Sequence, residues 1–112
     1  MKKSTANTSA YTWGDNCKGW PLLEEPTLRV IEEEMPPGTA EQLHYHEKAV
    51  QIFYILEGQA EFQVDEETIQ VTKGESLHIT AGKKHRIRNT SNQTIRFLVI
   101  SAPTTIGDRV NL

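Results

Sequence analysis

From Leu28 to Ala102 the chain reads as short apolar runs cut by turn residues, and nowhere do apolar residues recur at helical spacing for three turns. The run Leu28 to Met35 is closed by Pro36-Pro37-Gly38, a strong turn signal. Gln42 to His46 and Gln51 to Leu56 follow as strands, the second rich in Ile, Phe and Tyr, and Glu57-Gly58 reads as a hairpin turn. Ala60, Phe62 and Val64 then alternate with Gln59, Glu61 and Gln63, the period-two pattern of a half-buried strand. Turns at Asp65-Glu66 and Lys73-Gly74 bound Glu67 to Val71. Leu77 with Ile79, Lys84 to Asn89, and Ile95 to Ala102 complete the series. Short strands spaced by about 8–12 residues predict an all-β sandwich or barrel of antiparallel sheets.

A chain of 112 residues fits one domain with one core. Residues 1–26 are expected to form an N-terminal arm and edge strand, with Trp13 and Trp20 covering an open end of the barrel that residues 27–112 build. The formal charge of −3 gives no electrostatic drive toward nucleic acid or anionic membrane. The first ten residues lack the apolar stretch of a signal peptide, and no segment approaches the ~20 apolar residues of a membrane helix, so a cytoplasmic protein is expected. Cys17 is the single cysteine and reads as a small side chain in the arm.

The residues that carry chemistry are histidines. His44 and His46 stand two apart, so a strand presents both imidazoles on one face. Gln51 shares a strand face with Phe53 and Ile55, and His85 shares one with Ile87, opposite Arg86 and Arg88. Apolar alternates face the interior, so His85 does too, whereas His44 and His46, by their spacing alone, fit an inward face or an outward, solvated one. Imidazoles on an inward face are costly unless their nitrogens are satisfied, and a divalent metal satisfies them. His78 alternates with Leu77 and Ile79 and is expected to point away, toward solvent or a subunit interface. Glu24, Glu25 and Glu32-Glu33-Glu34 read as solvated faces, since successive glutamates of a strand cannot all face a core.

The spacing resembles the two motifs of the cupin superfamily. The first reads Gly38, five residues, His44-Tyr45-His46, four residues, Gln51, six residues, Gly58; the second reads Gly74, five residues, Thr80-Ala81-Gly82, two residues, His85, three residues, Asn89. Together they span close to half the chain. Thr80 stands where the motif has proline, and Gln51 where it has glutamate. The resemblance implies a double-stranded β-helix barrel of two antiparallel sheets. It also implies one divalent transition metal (Zn, Ni, Fe, Co, Cu or Mn) on His44, His46 and His85, with Gln51 as fourth ligand.

Replacing a carboxylate ligand by an amide leaves the ion's charge uncompensated. Metal affinity should weaken, and an anionic exogenous ligand should be favoured. Small cupins with glutamine here include enzymes that linearise unsaturated uronates, in which the last residues of the chain reach the metal cleft. By that resemblance Asp108 and Arg109 are candidates for an acid or base and a carboxylate clamp. Tyr54 and Tyr45 are candidates for the pocket or its rim, although a tyrosine in a strand usually packs.

The function expected is a metal-dependent enzyme acting on a small anionic metabolite, a sugar acid or keto acid, by isomerase- or lyase-type Lewis-acid chemistry. A non-catalytic binding or sensing module and an iron-dependent oxygenase are the alternatives. A homodimer is expected, because small cupins often pair through edge strands and an exposed edge is otherwise a liability.

Overall fold

A computed structural model describes all 112 residues. The chain has no helix; eleven strands form two antiparallel sheets, as the alternating pattern required. In chain order they are β1 (Tyr11–Trp13), β2 (Cys17–Glu25), β3 (Leu28–Met35), β4 (His44–His46), β5 (Val50–Glu57) and β6 (Gln59–Val64). They continue as β7 (Glu67–Thr72), β8 (Ser76–Ile79), β9 (His85–Arg88), β10 (Ile95–Ala102) and β11 (Arg109–Asn111). One sheet is ordered β1-β2-β3-β10-β5-β8 and the other β11-β4-β9-β6-β7. Non-sequential neighbours, β3 beside β10 and β4 beside β9, are what fold the chain back on itself into the double-stranded β-helix.

The inner faces of the two sheets meet over a core of Phe53, Phe62, Phe97, Ile55, Ile87 and Met35, with smaller apolar neighbours. Phe53 and Phe62 pack edge to face with ring centroids 5.0 Å apart. Gly58 closes the β5–β6 hairpin at φ 84°, and a Cβ there would lie 2.8 Å from Ile95 Cγ2, so both backbone and packing call for glycine.

The amino-terminal segment supplies the edge of the larger sheet. Residues 11–25 form a β1–β2 hairpin that extends the larger sheet, and β2 pairs with β3 along its length. Cys17 and Trp20 are buried within it. The carboxyl terminus supplies a strand that the apolar pattern did not reveal: β11 pairs with β4, placing Arg109 opposite His46 and Asn111 opposite His44.

Candidate metal centre

Register across the sheets assembles the site. Residues directly opposite in an antiparallel pair project from the same face. On the larger sheet one inner row runs Arg29, Ser101, Gln51, Ile79 across β3, β10, β5 and β8. Another runs Tyr11, Gly19, Glu33, Phe97 across β1, β2, β3 and β10. On the smaller sheet His44 lies opposite His85, and His46 opposite Arg109. The barrel brings these rows face to face.

His44, His46 and His85 are buried, and the nitrogens they offer lie within 4.8 Å of one another, so the three-histidine group could hold a metal ion. Each Nδ1 is already committed. His44 Nδ1 donates to Gln42 O (2.8 Å), His46 Nδ1 to Asp108 O (2.9 Å) and His85 Nδ1 to Lys83 O (2.9 Å). A carbonyl only accepts, so these bonds fix the Nδ1–H tautomer and leave every Nε2 lone pair free, the arrangement seen around metal-bound imidazoles. Burial lowers all three basicities, His44 to about 3 and His85 to about 4, so those two stay neutral at any ordinary pH and His46 shifts the same way.

Gln51 lies beside the three histidines. Its Nε2 donates to Ser101 Oγ (3.1 Å), which turns Oε1 toward His85 Nε2 at 3.1 Å. That contact sets one lone pair against another, and a cation between them would turn the repulsion into two ligand bonds. The donor set of three imidazole nitrogens and one amide oxygen fits a divalent transition ion.

The remaining candidates are placed differently. Asp108 turns its carboxylate onto the β4–β5 loop, where it accepts from the backbone N–H groups of Glu47, Lys48 and Ala49 at 2.9 to 3.3 Å. Partial burial pushes its carboxyl up, but those N–H groups together hold it below the usual carboxylate range. It is a loop clamp that also sets the carbonyl on which His46 rests. Arg109 lines the cavity beside the histidines and reaches Glu41 Oε2 (3.4 Å). Tyr54 stands on the outward face of β5, exposed, and Tyr45 is half-buried on the face of β4 opposite the two histidines, so neither joins the cluster. His78 is exposed on β8, as its alternation indicated.

Four ionisable cavity residues escaped the sequence reading: Tyr11, Arg29, Glu33 and Glu41. Glu33 is the correction to the view that residues 32–34 are a solvated face. It shares parity with Ile31 and Met35, both buried, and so does Arg29; the period-two rule applied to this run would have turned both inward. Burial, reinforced by the neighbouring Glu41, pushes the Glu33 carboxyl up to about 8, and burial raises Glu41 to about 7 against the pull of Arg109. Tyr11 donates to Glu33 Oε2 (3.3 Å) by lying across Gly19, where a Cβ would come within 2.4 Å of its ring.

Comparison with known proteins agrees with this architecture. The model of the cupin domain family matches residues 31–101. An uncharacterised protein of Methanocaldococcus jannaschii is 35% identical over 74 residues, covering 66% of this chain and 59% of its own. The oxalate-binding protein of Thermotoga maritima is 33% identical over 67 residues, 60% of this chain and 55% of its own, so the chain spans little more than half the length of these relatives. The crystal structure of a predicted oxalate decarboxylase from Thermotoga maritima superposes with a TM-score of 0.85 at 23% identity, over 93% of this chain and 100% of that one, a likeness of fold. With the family match covering both motifs and the strands that carry all four candidate ligands, this chain belongs to the cupin family.

Proposed function

We propose that this protein binds one divalent transition metal through Nε2 of His44, His46 and His85 and Oε1 of Gln51, and acts as an enzyme on a small carboxylate metabolite. The observation that carries the reading is the buried convergence of free lone pairs, three imidazole and one amide, with no proton among them to share. When bound, the ion would supply Lewis-acid polarisation of a carbonyl or hydroxyl oxygen. Arg29 and Arg109 line the same cavity and supply cationic partners for a carboxylate. Glu33 and Glu41, both raised toward neutrality, can hold or release a proton beside it.

The cavity measures about 150 Å³, room for roughly six non-hydrogen atoms. A compact keto or hydroxy acid fits that space. The name of the oxalate-binding relative supports a second reading, a non-catalytic module that holds a carboxylate of the same size. Cytoplasmic location and a homodimer belong to the proposal as well; the exposed Val50, Ile52 and Tyr54 on the outward face of β5 favour pairing there.

Elemental analysis of protein purified without a histidine tag, alongside His85→Ala and Gln51→Ala, tests the metal centre. About one equivalent of a transition metal is expected, lost in the first variant and reduced in the second. No uptake after incubation with each candidate ion would overturn it. Metal with no product from any small carboxylate over long incubation would favour the binding module.

A further inference from the structure

Arg29 and Arg109 both line the cavity, and their own hydrogen bonds set them apart. Arg29 Nε and Nη2 donate to Glu24 Oε1 (3.3 and 3.2 Å), and Nη1 donates to Thr105 Oγ1 (2.9 Å). A guanidinium carries five N–H groups, so one is left on Nη1 and one on Nη2. Those two terminal nitrogens are a pair that a carboxylate takes in parallel bonds.

The partners of Arg29 are themselves anchored. Glu24 lies directly opposite it in the β2–β3 register. Thr105 belongs to the β10–β11 connection, where Thr104 N–H donates to Pro26 O (3.1 Å) and Asp108 N–H to Thr105 O (3.0 Å). The guanidinium is therefore fixed before a ligand arrives, and binding costs it little further freedom. Arg109 offers less. Its side chain is 38% exposed against 19% for Arg29, so water competes more strongly for its N–H groups. Its Nε and Nη1 are engaged with Asn111 Oδ1 and Glu41 Oε2.

Position then decides which acids fit. Arg29, Ser101 and Gln51 are direct neighbours across β3, β10 and β5. Two strand spacings put the Cα atoms of Arg29 and Gln51 about 10 Å apart. Glu24 draws the guanidinium toward β2, the side of β3 that faces away from β10 and β5. Free N–H groups thus stand on one side of the cavity, and the lone pairs of the histidines and Gln51 on the other. A ligand that uses both must carry its carboxylate at one end and its second oxygen at the other.

We propose that Arg29 is the carboxylate-binding residue of this cavity and holds the ligand by the end remote from the histidines. The site then selects a small acid oxygenated at its third carbon over the isomer oxygenated at its second. Glu24 and Thr105 are positioning residues that act through Arg29. The inference rests on the reading of the cavity as a carboxylate site.

Two isomers, 3-hydroxypropionate and L-lactate, share charge and size and differ in where the hydroxyl stands; propionate lacks it. All three are titrated calorimetrically, at fixed ionic strength, into metal-stripped and zinc-loaded protein. In the stripped protein 3-hydroxypropionate should lead the other two by roughly 3- to 10-fold, the effect of one further hydrogen bond, its hydroxyl donating to a free Nε2. Zinc takes the same oxygen, and the order should persist.

Arg29→Gln should weaken all three acids by roughly 10- to 100-fold in the stripped protein, the range for a hydrogen bond to a charged group. Arg109→Gln should cost less. Glu24→Gln separates recognition from scaffolding: it keeps an acceptor for Arg29 and removes a competing charge, so the acids should bind roughly 2- to 5-fold tighter. A merely structural pair would weaken them instead. Should Arg29→Gln fold poorly, Arg29→Lys keeps the charge without the fork, and an intermediate loss is expected. Lactate level with or ahead of 3-hydroxypropionate in the stripped protein, or a larger loss from Arg109→Gln than from Arg29→Gln, overturns the inference and leaves the carboxylate reading standing. No binding of any of the acids, with or without zinc, overturns both. Failure to take up zinc overturns the metal centre alone, because the stripped protein still decides the role of Arg29.

Discussion

Truncating Asp108 separates a loop clamp from a catalytic acid. Its carboxylate accepts from three backbone N–H groups, those of Glu47, Lys48 and Ala49, and its own carbonyl accepts from His46 Nδ1. Hydrogen bonds to a charged group contribute about 1.5–3 kcal/mol each when sheltered. This site is partly exposed, so about 1 kcal/mol each is the better figure, and Asp108→Ala should cost about 3 kcal/mol. In a domain of this size that lowers Tm by roughly 10 °C. The carboxyl lies below its ordinary value in the folded protein, so its contribution is present above about pH 4 and lost as the pH falls through the folded value. The gap between wild type and variant should therefore close in acid. Because residue 108 also orients His46, metal affinity should fall on the order of 10- to 100-fold, the usual effect of losing a group that holds a ligand in place. Urea denaturation at pH 7 and at a series of pH values below about 4, with calorimetric metal titration, measures all three. A loss below about 0.5 kcal/mol with unchanged metal affinity would refute the clamp. Asp108→Asn that folds and loads metal normally but abolishes turnover would instead restore the acid–base role expected from the sequence.

Gln51→Glu puts a carboxylate at the coordination position and should tighten metal binding by about 10-fold or more, since a charged oxygen replaces a neutral one on a divalent ion; equal or weaker affinity would show that Gln51 does not reach the metal. Since His44 and His85 are held neutral down to about 3 and 4, metal uptake at pH 5 should release fewer than about one proton, where three ordinary histidines would release nearly three. Calorimetry in buffers of different ionisation enthalpy counts them. The same lowered values mean that the histidines stabilise the metal-free fold fully above about pH 6.5 and cease to do so as the pH falls through 4 and 3. Gly19→Ala should dislodge Tyr11, whose phenol burial now holds well above its ordinary range. Ultraviolet titration should show Tyr11 resisting ionisation in the wild type and no longer in the variant, at a stability cost of about 1–2 kcal/mol.

The fold was legible because period two persists from β3 to β10, and the turn signals at Pro36-Pro37-Gly38, Glu57-Gly58 and Lys73-Gly74 fall where strands end. What escaped was structure defined by long-range pairing. β11 is three residues with one apolar side chain, and it is a strand because β4 offers it an edge. β2 holds Pro21 and a register shift between Pro21 and Leu23, which break the alternation that would have announced it. Asp108 looked like chemistry because its neighbours in sequence gave no hint that the partners of its carboxylate lie some sixty residues earlier.

The case of Glu33 shows where such reading fails for physical reasons. Three consecutive glutamates suggest a surface, and Glu32 and Glu34 do meet surface arginine Arg96. Yet alternation must put every second residue on the inner face, and that face is not uniformly apolar: it passes from Met35 in the core to Glu33 and Arg29 at the mouth. A strand that crosses from core to cavity changes polarity along its inner side without changing its period. Taken with Gln51, this places the cavity's carboxyls away from the coordination position, at Glu33 and Glu41. A carboxylate at position 51 would offset half of a divalent ion's charge where an amide offsets none; a carboxyl on the wall leaves that charge for the ligand. The exchange of Glu for Gln in the first motif is therefore best understood together with two residues outside both motifs' ligand positions.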